Sequence, residues 1–481
     1  MRLQGVSVLG TQECEDVHQA TLRVLAETGV KVLDEHGRDL LARAGATGAG
    51  DVVRIPPRLA QEALAQAPRS VTVYDREGTP SLDLSGRNTY FGAGGPAPQY
   101  CDEQSGALRP FVLADCARLS RVCDACPQLA FSMAMAHCAD APLPVRDLWE
   151  VAVMLCHSPK PIVFTAHSPD NVSALAEVFQ AAAGQGDRVL PPGGIFYSEP
   201  ISPLTHAADS LAKVWRAADA GFPVLYTPAP MAGATGPATL AGNLVVGNAE
   251  WLSGLVMIQL HRPGTPVLYG GVFTGMDYGT CIFSYGSAEL HLQTLAAADL
   301  GRWYGIPSFG TAGCTDASCS DVQSGFEAST SILLNLVGGA NLVHDVGWLA
   351  SAHATSAEQL VLNDAIIAHA RRVLAGITVN PDTLAVPVIA EVGPQGSFLA
   401  HDHTLSHFAS ESLCTRFWDR RPLGRRLGGG PFMERVVERT EELARRHRPH
   451  QMAPEQERAV DAVLRRRAAA LGAGEVPDWR E

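Results

Sequence analysis

The stretch PSFGTAGCTDASCSDVQSGFE, Pro307 to Glu327, crowds three glycines, two cysteines and two aspartates between an apolar run and a helix-like run. Such residues could cradle a phosphate, hold a metal or rim an active site. A phosphate loop is excluded, because no Gly-Lys-Ser/Thr triplet and no matching glycine spacing is present. Zinc has weak support: Cys314 and Cys319 are five apart and need further ligands from elsewhere. Cys123 and Cys126 have a two-residue gap, but no second such pair joins them. No residue is therefore assigned to a metal. The stretch reads instead as the C-terminal end of a strand, with Asp316 just beyond it and Ser320 or Asp321 capping the next helix.

Stepping out from that strand, a rhythm of short apolar runs begins at Thr89. TYFGAGG, LAFSMAMAH, PIVFTAH, GIFYSEP, PVLYTPAP, PVLYGGVF, PSFGTAG and NLVHDVG each precede a helical stretch. Alternating strand and helix predicts a parallel sheet. Eight such units predict an α/β fold of the TIM (β/α)8 barrel type over residues 86–394, with chemistry at the strands' C-terminal ends. An open doubly wound sheet ranks second, since no GxGxxG follows the first run. Residues 1–85 read as a mainly helical region. Residues 395–481 read as a helical extension whose charged amphipathic helices favour self-association.

The totals narrow the class. The 481 residues carry a formal net charge of −13, which argues against a nucleic-acid partner. No apolar run reaches the roughly 18 residues that span a membrane. The start, MRLQGVSVLGTQECED, turns polar too soon for a signal peptide. A cytoplasmic protein with reduced thiols is expected.

Glycines gather at the strand ends. Gly94, Gly233, Gly271 and Gly313 would leave a wide mouth, suited to a large planar cofactor or a protein carrying one. Turn geometry alone explains them equally well. Aromatic residues gather there too: Tyr197, Phe273, Tyr278, Phe283, Tyr285 and Trp348. Tyr197 and Glu199 share one face of the fourth strand. His344 and Asp345 are adjacent, so a regular strand would aim only one of them at the barrel axis.

YSEPISPLTH, TPAPMAGATGPATLAGNLV, GTAGCTDASCSDVQSGFE and NLVHDVGWL, in this order, resemble the corrinoid-dependent trimethylamine methyltransferase family. The resemblance runs from the N-terminal helices to about residue 450. It implies a TIM barrel that moves a methyl group from an amine to the cobalt(I) of a corrinoid held by a separate protein. This chain uses only the twenty standard residues, so the resemblance points to the branch without pyrrolysine, whose substrates are quaternary amines such as glycine betaine. It implies a substrate-site role for His344, with Asp345 as a helper in the wall.

The resulting expectation names His344, Glu199 and Asp316 as catalytic. The six aromatic residues would form a cation pocket, and the four glycines would face the corrinoid. Asp316 reads equally well as a buried structural acid. Asp16 to Thr21, DVHQAT, mimics the start of a corrinoid-carrier signature but lacks its glycine. The corrinoid must then come from a partner protein. The competing class is a non-catalytic barrel that binds a betaine or scaffolds a corrinoid carrier. A metal-dependent lyase or hydrolase is a third reading, without a convincing ligand set.

Overall fold

The computed structural model describes all residues except 1–4, 104, 185–192, 414–416, 421, 423–431, 475 and 481. Part of the polar stretch near residue 415 thus lies outside the described residues.

Eight parallel strands alternate with eight helices. The strands are β1 (Tyr90–Ala93), β2 (Leu129–Phe131), β3 (Ile162–Phe164), β4 (Gly194–Ser198), β5 (Val224–Tyr226), β6 (Val267–Leu268), β7 (Phe309–Thr311) and β8 (Leu342–Val346). The helices after them are α1 (Leu113–Ala125), α2 (Arg146–His157), α3 (Pro169–Ala183), α4 (Ala208–Ala220), α5 (Leu240–His261), α6 (Ala288–Tyr304), α7 (Val322–Gly338) and α8 (Ala357–Ala375). One sheet runs β3-β4-β5-β6 and another β7-β8-β1-β2. Single parallel bridges link their edges, Ser132 to Ile162 and Tyr269 to Ser308.

β3, β5 and β7 are buried along their whole length, as sheets covered by helices require. Helix boundaries follow local chemistry. Ser168, Thr239, Ser287, Asp321 and Ser356 accept from backbone amides at the starts of α3, α5, α6, α7 and α8. Gly184, Gly221, Gly305 and Gly339 close α3, α4, α6 and α7 in the left-handed region.

The N-terminal segment is more than helices. Val30–Val32 pairs with Val52–Arg54 and, in parallel, with Thr205–His206 in the loop between β4 and α4. It is thereby stitched to the strand that carries Tyr197. Near the C-terminus, helix Pro454–Leu471 packs on α3 and helix Phe432–Arg446 on α1 and α8. No helix among the described residues is long and apolar enough to cross a membrane.

Candidate active site

A cavity of about 470 Å³ opens at the C-terminal ends of the strands. That volume is typical of small-molecule sites. Tyr197 and Glu199 come from the end of β4, His344 from β8 and Trp348 from the turn after it. Met133, Thr165, Ile201, Ser210 and Lys213 complete most of the wall.

Tyr197 donates its phenolic hydrogen to Glu199 Oε1. Glu199 opens onto the cavity, yet protein surrounds it on the other sides. Desolvation pushes its pKa above the ordinary carboxylate value, and the Tyr197 hydrogen bond works the other way. Cavity water softens that push, which acts in full once a ligand displaces the water. Burial and the nearby Glu199 charge push the Tyr197 phenol upward as well.

His344 is almost fully buried, packed at 4.4 Å against the Phe309 ring, 5.8 Å from Tyr197 and 6.1 Å from Trp348, centroid to centroid. Its Nδ1 lies 2.9 Å from Asp345 Oδ1. The separation suits a hydrogen bond but the angles do not, and neither ring nitrogen has a hydrogen-bond partner among the described residues.

These neighbours stay side by side because β8 is not regular there. Its register against β1 shifts between Val343 and Val346, and Asp345 takes a φ of 75°. Such a bulge re-aims a side chain that regular pleating would send to the other face. Thr311 Oγ1 donates to Asp345 Oδ2 and anchors it behind His344.

Trp348 donates its indole N–H to the Gly95 carbonyl at 2.6 Å. Tyr285 meets it edge-on, with centroids 5.5 Å apart at 86°. The indole is thus locked with its ring on the cavity wall.

The other sequence candidates lie elsewhere. Tyr285 is buried behind Trp348, and Phe283 packs on Tyr285 at 5.1 Å. Phe273 is core, filling the space beside Gly247 and Gly271. Tyr278 is 69% exposed, on the loop after β6. Asp316 accepts from Ser284 Oγ at 2.5 Å, Tyr285 N at 2.8 Å, Gly286 N at 2.9 Å and Ser351 Oγ at 2.7 Å. Its carboxylate ties two loops together and is absent from the cavity wall.

The four rim glycines do not widen the mouth. A Cβ on Gly94 would sit 2.7 Å from Asp345 Cα, and one on Gly271 would sit 2.2 Å from the Pro228 carbonyl oxygen. A Cβ on Gly233 would strike the Tyr278 hydroxyl, and one on Gly313 would lie 2.8 Å from Asn363. Close chain packing, not a cofactor-sized gap, explains them.

Lys213 escaped the sequence reading. It is one of only three lysines in the chain, and it follows a strand-end loop in the first turns of α4. Its i,i+4 pairing with Asp209, at 2.6 Å, has the pattern of an ordinary helix-surface pair.

The chain matches the trimethylamine methyltransferase (MTTB) family over residues 2–472. The chain belongs to the trimethylamine methyltransferase family. It is a methyltransferase by that membership. It is 28% identical to the trimethylamine methyltransferase MttB of Desulfitobacterium hafniense (strain DSM 10664 / DCB-2) over 474 residues, covering 96% of this chain and 94% of that protein. It is 29% identical to the glycine betaine methyltransferase of Desulfitobacterium hafniense (strain Y51) over 421 residues, covering 87% and 88%. A crystal structure of a hydroxylamine complex of MtmB shares the fold, with a TM-score of 0.52 at 11% identity, covering 98% of this chain and 90% of that one.

Proposed function

We propose that this methyltransferase takes a methyl group from a betaine-type quaternary amine and passes it to the cobalt(I) of a corrinoid held by a separate protein. One observation carries the reading. A single cavity presents the Tyr197 and Trp348 rings, the Glu199 carboxylate and the Lys213 ammonium. Aromatic faces and a carboxylate attract a quaternary ammonium. An ammonium attracts the carboxylate that a betaine carries at its other end. Relatives named for trimethylamine and for glycine betaine bracket this choice, and Lys213 favours the betaine.

The order of the strands supports a TIM barrel, since β8 pairs with β1 and bridges join the two sheets at their edges. In that reading residues 86–394 form the barrel, with 1–85 and 395–481 attached to it. The cavity then lies in the barrel mouth.

The corrinoid supplies a cobalt(I) nucleophile when its carrier docks. The cavity suits an amine rather than a corrin ring, so the carrier must present the ring from outside. Ile201 and Tyr278 in strand-end loops, and Val322 and Phe326 in the first two turns of α7, stand exposed on that face, an apolar rim fit for a protein partner. The residues of this chain then have simple tasks. Tyr197 and Trp348 hold the ammonium with one methyl toward the opening. Lys213 fixes the far end of the substrate, with His344 in the wall beside it. No proton donor is needed, because the leaving group is a neutral tertiary amine. Positive charge leaves nitrogen in the transition state, so binding of the cation must stay moderate for catalysis to gain.

Calorimetric titration of wild type and Lys213→Met with glycine betaine and choline tests the assignment. The variant is expected to bind glycine betaine about 10-fold more weakly and choline nearly unchanged. Equal losses for both ligands would remove Lys213 from carboxylate recognition.

A further inference from the structure

Beyond α8 the chain forms an arm unlike the rest of the protein. Three helices make it: α9 (Pro381–Leu384), α10 (Val386–Val392) and α11 (Asp402–Glu411). None of them buries a residue. Ile377, Val386, Leu399 and Leu405 all stand open to solvent. Apolar burial therefore contributes little to holding α9 against α11. Units this small usually need a disulfide, a metal or a partner chain.

What joins α9 to α11 is a cluster of ligand-type side chains. His403 and His407 lie four apart on one face of α11, and their rings stack at 4.1 Å and 18°. His407 Nε2 is 3.0 Å from Asp382 Oδ2, and His403 Nε2 is 3.3 Å from the Asp382 carbonyl oxygen. One atom from each of the three side chains lies within 4.8 Å of the others.

His407 Nδ1 lies 2.9 Å from both the His403 carbonyl oxygen and the Ser406 hydroxyl. When Nδ1 donates to that carbonyl, Nε2 can turn its lone pair to a metal ion shared with Asp382, and a ring anchored through Nδ1 to a carbonyl is how metal-binding histidines are oriented.

We propose that Asp382, His403 and His407 bind a divalent ion of the zinc class, which clamps α9 to α11. Two histidines at i,i+4 on a helix with a carboxylate from another segment suit that ion. Tetrahedral bonds of about 2.0–2.1 Å place ligand atoms roughly 3.3 Å apart, within reach of small side-chain rotations here. A fourth position stays open to water. His401 remains outside the set, accepting from the His403 amide at 3.0 Å. Asp382 stands 21 residues before His403, a separation that carries no local metal-binding signature in the sequence.

The test uses the full chain, stripped by a chelator and titrated with zinc chloride. Wild type is expected to take up one equivalent that His403→Ala and His407→Ala each bind about 100-fold more weakly or lose. Cobalt(II) should give wild type, but not the His403→Ala/His407→Ala double variant, visible bands of a low-coordinate site. Zinc should slow hydrogen exchange across residues 377–411 in wild type alone. All three groups are at least partly solvent-exposed, so the variants are expected to keep the wild-type thermal transition. Equal zinc uptake by wild type and the double variant would overturn the proposal. So would zinc uptake that leaves exchange in 377–411 unchanged, or no uptake, which would leave only the His407–Asp382 hydrogen bond.

Discussion

Tyr197 donates its phenolic hydrogen to Glu199, and both side chains line one cavity. The Glu199 pKa is raised by desolvation, so in the free protein a proton competes with a cationic substrate for the carboxylate. Affinity for glycine betaine is expected to fall as pH drops through that raised pKa. Glu199→Gln should bind weakly at all pH values and show no such fall. Calorimetry across pH 5 to 8 checks this, and identical pH profiles for the two proteins would exclude Glu199 from cation binding.

Trp348 is held by Gly95 and Tyr285 with its ring against the cavity. Trp348→Ala should weaken cation binding by about 5- to 30-fold, the range of a desolvated cation–π contact of about 1–2 kcal/mol. Trp348→Phe should recover part of that loss. A neutral isostere of the betaine, with carbon in place of the ammonium nitrogen, should bind both variants and wild type alike.

Asp316 and Gly94 separate support from chemistry. Asp316→Asn loses acceptors for hydroxyls and buried amides and should cost about 1–3 kcal/mol of stability, with residual kcat close to wild type. Gly94→Ala forces a Cβ toward Asp345 and should disturb the bulge that sets His344. It should lower kcat more than it lowers the melting temperature would suggest. A kcat lost in Asp316→Asn with stability intact would return Asp316 to the chemistry.

Glu250 on α5 accepts from Leu204 N and Ser202 Oγ, both at 2.7 Å, and burial raises its pKa from 4.5 to about 7. A group raised on folding stabilises the protein below its unfolded pKa, and that stability is lost as pH rises through the folded pKa. The shift is worth at most about 3 kcal/mol. Relative to wild type, Glu250→Gln should therefore gain stability between pH 5 and pH 8. Denaturant unfolding at the two pH values measures it, and parallel profiles would contradict it.

Much of this was legible in residue patterns. Apolar runs closed by glycine, proline or polar residues marked each parallel strand, and Tyr197, Glu199, His344 and Trp348 stood at strand ends, where the cavity lies. The failures share a physical cause. Phe273 and Tyr278 sit in the same loop region, but only tertiary packing decides that one is core and the other solvent-facing. Periodicity does not reveal the β8 bulge, so strand parity could not place Asp345. Glycine spacing does not reveal which backbone approaches, so Gly94 read as open space when Asp345 lies against it. Lys213 was hidden by its helix partner Asp209.

The most direct test of the central claim is anaerobic mixing of the protein with cob(I)alamin and either glycine betaine or trimethylamine, following methylcobalamin by its absorbance. Methylcobalamin is expected with glycine betaine, at a rate that collapses in His344→Ala while that variant stays folded. Methyl transfer from trimethylamine but from no quaternary amine would contradict the account.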